Sequence, residues 1–314
     1  MSVGASQETT VPRSQAPLLA PLRELRVKLG GGVVGLFVLL ALLGPMFVAD
    51  ASEPVGKPLD PPSAAFWLGT TGQGQDVFAQ LVAGARPTLL LAFSVGVAAA
   101  ALGALVGIVA GARGGWLDAA LRLVIDTFLV LPGLPLVVVV GAYLSGGPAV
   151  VALVLVATGW AWPARVLRAQ TLSLRGRDFI AAAVVAGEGR FRILLTEFLP
   201  NLLPVLASVT ASAVIYALGA LVGLEFLGLG EVERVTWGTL LYWARNDAAW
   251  ITGSWWTFVP AGICVALVAF ALSLLASSFD QVADPRLRAH KAYRRAVGGG
   301  SQALDATVVR GRDV

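Results

Sequence analysis

The sequence is short of charge, of cysteine and of histidine, and each shortage removes a class of function. Only 13% of its 314 residues are Asp, Glu, Lys or Arg, where a soluble domain carries about a quarter. Cys264 is the single cysteine and lies in an apolar run, so neither a disulfide framework nor a Cys-rich metal site can be built. His290 is the single histidine and stands in a basic stretch, which argues against a His-based metal centre or proton relay. No G-x-x-x-x-G-K-[ST] phosphate loop is present; "VGKP" at 55–58 lacks both the earlier glycine and the final Ser or Thr. "GQGQDV" and "GEGRFR" each lack the third glycine of a dinucleotide fingerprint. These gaps predict no catalytic residues, no metal and no bound cofactor.

What the sequence has in abundance is apolar length. It is 57% hydrophobic, with a mean hydropathy of +0.78. A bilayer core about 30 Å thick needs roughly 20 apolar residues of helix. Runs near that length stand at 33–48, 88–110, 117–143, 149–162, 202–224 and 258–279. They are continuous and far longer than a tilted barrel strand of about 10 residues. The fold class expected is therefore all-α, a polytopic membrane protein with six transmembrane helices.

Basic residues set the expected orientation. With the N-terminus inside, 19 of the 23 Lys and Arg fall on the inner side, leaving Lys57, Arg86, Arg234 and Arg245 outside. Both termini are then cytoplasmic. The net charge of +4 reflects residues flanking lipid spans rather than one soluble basic patch, so nucleic acid is not expected as a partner. Ala49-Asp50-Ala51 resembles a signal-cleavage site, but the long preceding basic region and the five further spans favour retention of the first span. Asp126 is the one acid clearly inside an expected span and the candidate pathway or gate residue. A polar group satisfied against a neighbouring helix is the preferred reading of it. Five tryptophans, Trp237, Trp243, Trp250, Trp255 and Trp256, cluster in an outer segment and read as an aromatic interface belt.

One segment is too polar for lipid and too long for a turn: "GRDFIAAAVVAGEGRFRILLTEFLPN", 176–201. "DFIAAAVVA" reads as a short helix with Asp178 as N-cap and Gly187 as a left-handed C-cap. "RFRILLTEFL" reads as a second helix leading to Pro200. Together they predict a helical hairpin on the inner face, with Phe179 and Ile180 in its first turn. Such a surface suits insertion into a groove on another protein, or a position on the headgroups.

The hairpin resembles the cytoplasmic coupling loop of ABC importer permeases, through Ala181-Ala182-Ala183, Gly187 and Leu199-Pro200-Asn201. "WLGTTGQGQDVFAQLVAGARPTL" at 67–89, "GLEFLGLG" at 223–230, "WGTLL" at 237–241 and "DPRLR" at 284–288 are similar, in order and spacing, to the second (C-type) permease subunit of the dipeptide, oligopeptide and nickel importers. The resemblance covers residues 22 to 290. Five positions depart from the family pattern: Ala181 replaces a glutamate, Glu197 a histidine, Gln75 an arginine, Glu225 a serine and Leu221 an acid.

The resemblance implies a tail at 1–29, a permease domain at 30–285 and a basic, disordered tail at 286–314. Within the permease domain it implies extracytoplasmic loops at 50–87 and 229–257 and a coupling loop at 165–199. It implies Phe179, Ile180, Ala182, Ala183, Gly187, Arg190 and Pro200 as ATPase-coupling residues. The partners implied are a second permease subunit, one or two ATPase subunits holding ATP and Mg, an extracytoplasmic substrate-binding protein and membrane lipid. The location implied is the bacterial inner membrane. A gradient-driven carrier, or a membrane anchor for a soluble ATPase that transports nothing, are the competing readings; the first lacks an ion site.

Overall fold

A computed structural model describes residues 25–48, 50–143 and 147–283. The tails, with His290 and the 284–288 stretch, lie outside the described residues, except that residues 25–29 open the first helix. Twelve α-helices are found among the described residues: α1 Leu25–Leu43, α2 Val77–Arg113, α3 Gly115–Val130, α4 Gly133–Tyr143, α5 Gly147–Gly159, α6 Ala161–Arg175, α7 Asp178–Val185, α8 Arg190–Ile193, α9 Leu199–Phe226, α10 Trp237–Asn246, α11 Ala249–Thr252 and α12 Val259–Ala283. Among the described residues five stretches are long and apolar enough to cross a membrane: Leu25–Met46, Val77–Arg113, Gly147–Arg175, Arg190–Phe226 and Trp255–Asp280.

Several expected boundaries change. The second span begins at Val77 rather than residue 88, because the Asp76 carboxylate accepts the Phe78 backbone N–H at 2.9 Å and starts the helix there. The helix continues through Pro87, so residues 77–87 of the expected outer loop are helical. At 37 residues, α2 is about 55 Å long, well beyond a 30 Å hydrocarbon layer. The expected third span, 117–143, is not one helix. Pro132 pushes Leu131 into extended backbone (φ −64, ψ 130) and separates α3 from α4. The fourth is longer than the apolar run suggested, because α5 and α6 continue as one 29-residue stretch.

The chain divides into two compact units. The first holds residues 25–89 and 233–278. Trp237 is fully buried at its centre. Its indole N–H donates to the Leu81 carbonyl at 2.9 Å, its backbone N–H donates to Thr88 Oγ1 at 3.1 Å, and Phe37 meets its ring edge-on at 5.6 Å. Trp237 is thus a core residue and not part of an interfacial belt, whereas Trp250 and Trp255 are exposed. Thr236 and Thr239 form a reciprocal capping box that starts α10. The 50–76 segment has its own order. Buried Thr70 accepts the Asp60 N–H at 2.8 Å, donates to the Lys57 carbonyl at 2.6 Å and receives the Trp256 indole N–H on its own carbonyl at 3.2 Å.

In the same unit the Asp247 carboxylate sits against Gly72. Burial raises its pKa above the ordinary carboxylate value, and the Gly72 backbone N–H offsets this in part. A raised folded pKa means that the folded state holds the proton longer, so ionisation of Asp247 erodes stability as pH rises above about 3.8 through the folded value. Asp247→Asn is therefore expected to raise the melting temperature at pH 7. Its advantage should vanish below the unfolded carboxylate pKa. Melting curves between pH 3.5 and 7 check it, and a benefit independent of pH would assign the effect to something other than the charge.

The second unit holds residues 90–232 and 279–283 of the described chain. Here α2 is held between α6 and α9 by glycines. A Cβ on Gly96 would meet the Val214 backbone at 2.5 Å, one on Gly103 the Trp160 carbonyl at 2.6 Å, and one on Gly111 the Thr171 side chain at 2.7 Å. One on Gly107 would run into the Ala164 backbone. Gly103, Gly107 and Gly111 recur every four residues, the small-xxx-small spacing that lets helix backbones approach in a membrane. A core of Ile108, Leu167, Ile180, Ile193, Phe198, Leu202, Val205 and Val209 fills the space below. Arg168 clasps Asp118 across α6 and α3, with Nε donating at 2.5 Å and Nη2 at 2.8 Å. This bidentate geometry fixes the relative placement of the two helices.

Candidate functional site

The hairpin at 176–201 is built on that second core. Arg177 adopts extended backbone (φ −88, ψ 146) and stands at the N-cap, so Asp178 is the first helical residue rather than the cap. Its charge still lies in the first turn, where the helix dipole favours an acid. Gly187 closes α7 as expected, with φ +78. Its N–H donates to the Val184 carbonyl at 3.0 Å, and the Glu188 N–H donates to Ala183 at 3.1 Å. This pair of bonds is the Schellman arrangement, which satisfies carbonyls the helix end would leave open.

The second arm departs from expectation. It does not end at Pro200. A π-helical turn, Leu194–Phe198, joins α8 to α9, and the helix runs from Arg190 to Phe226 without a break. Proline supplies no N–H and its ring crowds the carbonyl four residues back, and the wider π turn immediately before Pro200 accommodates both demands. Asn201 then donates from Nδ2 to the Glu197 carbonyl at 2.7 Å. Motion of the hairpin's second arm and of α9 is thereby linked along one helix.

The hairpin has an inner and an outer face. Ile180 is buried at 5% exposure among Ile108, Leu167, Ile193 and Leu202, and half-buried Ala183 packs beside it. Burying an isoleucine of this kind contributes roughly 1.5–3 kcal/mol, so Ile180 anchors α7 to the helices of its own chain. It is therefore not on the free surface where the sequence had grouped it with Phe179. Phe179, Ala182, Val185 and Ala186 stay exposed at helical spacing and form an apolar stripe on the opposite side. Phe191, on the second arm, is also exposed. Val185 and Phe191, 87% and 73% exposed, were not singled out from the sequence. Val185 stands three residues from Ala182 and so shares its helix face, a signal that only a known inner face can interpret.

Between the arms and the end of α2 lies a cavity of about 540 Å³. Val109, Ala112, Ile180, Val184, Phe191, Ile193, Leu194 and Phe198 give it apolar walls, and Arg113, Arg175 and Arg190 line it with charge. Arg190, expected to contact a partner, is one of these lining residues. Pro200 is exposed on the joined helix. Asp126 is on α3, half-exposed, in an ion pair with Arg122 one turn earlier at 3.4 Å. Arg113, Arg168 and Arg175 were legible only as inner-face charge; the seven-residue spacing that puts Arg168 and Arg175 on one face of α6 was their available signal.

The comparisons agree with this architecture. Residues 103–289 match the family of binding-protein-dependent transport system inner membrane components. The chain is 35% identical over 243 residues to the oligopeptide transport system permease protein OppC of Mycobacterium tuberculosis, covering 76% of this chain and 81% of the relative. It is 31% identical over 271 residues to the dipeptide transport system permease protein DppC of Bacillus subtilis, covering 82% of each. The family match takes in Gly103, Gly107 and Gly111 of α2, the 176–201 hairpin and α9. The chain is a multi-pass membrane protein that belongs to the family of binding-protein-dependent transport system inner membrane components, as a C-type permease subunit of an ABC importer.

Proposed function

We propose that this chain imports di- and oligopeptides as one of two permease subunits, with all ATP chemistry carried out on partner ATPase subunits. Its relatives' names support the cargo. The observation that carries the mechanism is the two-faced hairpin: Ile180 is locked into the core, while Phe179, Ala182, Val185 and Ala186 present a free apolar stripe. A short, rigidly anchored helix can pass a displacement to the spans, and the unbroken 190–226 helix supplies the lever. In this reading, ATPase closure moves α7, and α8 and α9 follow, rocking the pathway between outward and inward access. An extracytoplasmic binding protein delivers the peptide to the outer segments. The α3–α4 pair makes the sixth crossing, broken at Pro132. Asp126, paired with Arg122, serves helix stability rather than the pathway. ATP and Mg act in the ATPase subunits, and this chain contributes no catalytic group.

Reconstitution in proteoliposomes tests the reading. The chain alone is expected to hydrolyse no ATP and accumulate no peptide. Accumulation should require a second permease, the ATPases and the binding protein, and should fall to background when Phe179 and Val185 are both replaced by Asp. Peptide accumulation by the chain alone, driven by a proton or sodium gradient, would establish a carrier instead. A stable ATPase complex that transports nothing would establish an anchor.

The orientation proposed places 176–201 and both termini in the cytoplasm of a cell with this protein in its inner membrane. A single cysteine introduced as Glu188→Cys in a Cys264→Ala background should resist an impermeant thiol reagent in intact cells and react after the membrane is opened. Labelling before opening would reverse the topology.

A further inference from the structure

We propose that the cavity at the root of the hairpin is a binding site for an anionic phospholipid, with the phosphate held by Arg113, Arg175 and Arg190 and the glycerol and first acyl carbons against Val184, Phe191 and Phe198. Three observations carry this. The lining contains three guanidinium groups and no acid. Among the described residues none of these three arginines forms an ion pair, whereas Arg122, Arg168 and Arg192 each have a carboxylate partner. The site also lies where a headgroup would be: Arg113 is the last residue of the 37-residue apolar α2, so the charges begin where the lipid-compatible run ends.

The chemistry favours a lipid over a free ion. Guanidinium groups match phosphate oxygens in a planar fork, which phosphatidylglycerol and inorganic phosphate both satisfy. Only the lipid also covers the apolar walls, which outnumber the charged groups in the lining. A cavity of about 540 Å³ is within the range of small-ligand sites. Basic pockets beside membrane helices on the cytoplasmic side are places where anionic headgroups collect. The site depends on membrane embedding and not on the hairpin's contact with an ATPase, so the two can fail separately. Ile180 and Val184 of α7 form part of the wall, so a bound lipid would brace α7 against α2.

The test uses the full-length chain, purified without ATPase in detergent and titrated with phosphatidylglycerol or phosphatidylcholine under native mass spectrometry. One phosphatidylglycerol is expected to bind about tenfold or more tightly than phosphatidylcholine, and millimolar inorganic phosphate should not displace it. The Arg113→Gln/Arg175→Gln/Arg190→Gln variant should lose about tenfold or more in affinity. Arg122→Gln/Arg165→Gln/Arg192→Gln, which removes the same charge elsewhere, should change it less than about threefold. In the unaltered chain, a photoreactive phosphatidylglycerol should crosslink within residues 109–113 and 175–198, a readout that needs no folded variant. Equal losses in the two triple variants, equal binding of phosphatidylcholine, or crosslinks spread over the whole apolar surface would overturn the site. Displacement by inorganic phosphate would also overturn it, assigning the arginines to a free anion.

Discussion

Gly107→Val is expected to disrupt the helix bundle, with thermal stability in detergent falling and little folded protein recovered. The reason is backbone against backbone. A Cβ at this position of α2 would strike Ala164 of α6, with its carbonyl oxygen nearest, its carbonyl carbon at 3.0 Å and its Cα at 3.1 Å. None of these atoms belongs to a side chain that can rotate away. Overpacking of a filled interior costs about 1–3 kcal/mol, occasionally more, against a total stability of only about 5–15 kcal/mol. The sign is the informative part, since Gly to Ala inside a helix ordinarily gains up to about 1 kcal/mol from propensity. Gly219→Ala serves as the reference, because its added Cβ meets nothing within 4 Å. It should be neutral or stabilising, while Gly107→Ala already lowers the melting temperature and Gly107→Val lowers it further. An unchanged melting temperature for Gly107→Val would show that α2 and α6 do not cross this closely.

That crossing marks a limit of reading a sequence by hydropathy. The apolar runs were enough to show a helical membrane protein, because a bilayer admits few other solutions for the backbone. They could not place helix ends. Residues 77–87 carry Arg86 and Pro87 and read as loop, yet Asp76 caps α2 and the helix passes through both. In the opposite sense, 117–143 read as one span because its residues are apolar, and Pro132 divides it. A side-chain cap decided the first case, and proline's steric restriction of the residue before it decided the second. The G-x-x-x-G-x-x-x-G spacing at 103–111 was on view, but spacing alone does not say which helix it faces. The tryptophans show the same ambiguity: Trp237 and Trp250 stand thirteen residues apart in one segment, one fully buried and the other 70% exposed.

The hairpin was legible in outline because its signals are local. Charge, a short alanine-rich run and a glycine after it were sufficient to predict α7 and its left-handed end. Its two faces were not legible, since Ile180 and Phe179 are adjacent in sequence and similar in polarity. Only the core formed by Ile108, Leu167 and Leu202 separates them. The exposed stripe that follows from this separation, Phe179, Ala182, Val185 and Ala186, is also free of charge. The replacement of the family's glutamate by Ala181, itself exposed, leaves that first turn more apolar. A contact made through it would depend on shape and burial more than on an ion pair.

Substitutions at the two glycines beside α7 are expected to separate, and the separation tests the hairpin's role in transport. Gly187 has φ +78, where a non-glycine residue is strained and a β-branched one is a rare outlier. Gly189 sits at φ −66, ψ 143, which any residue adopts. Neither has an atom within 4 Å of an added Cβ, so crowding does not enter and backbone conformation alone distinguishes them. Strain of this kind costs about 1–3 kcal/mol. It falls on the bonds from Gly187 to Val184 and from Glu188 to Ala183 that close the helix. Relief requires the turn to open, which swings α7 off its anchor at Ile180. In the reconstituted importer, Gly187→Val should therefore reduce peptide transported per ATP hydrolysed by about tenfold, the effect of roughly 1.4 kcal/mol in a coupling equilibrium. Gly187→Ala should do less, and Gly187→Asn least, since asparagine tolerates the left-handed region. Gly189→Val should leave both transport and hydrolysis near the unaltered level. The helix bundle should stay folded throughout, with any fall in melting temperature confined to the Gly187 series, because only release of Ile180 from the core is at stake. If the Gly187 series shows no order, or Gly189→Val uncouples as strongly, the left-handed turn is not what transmits motion, and the hairpin's contribution must come from its exposed stripe alone.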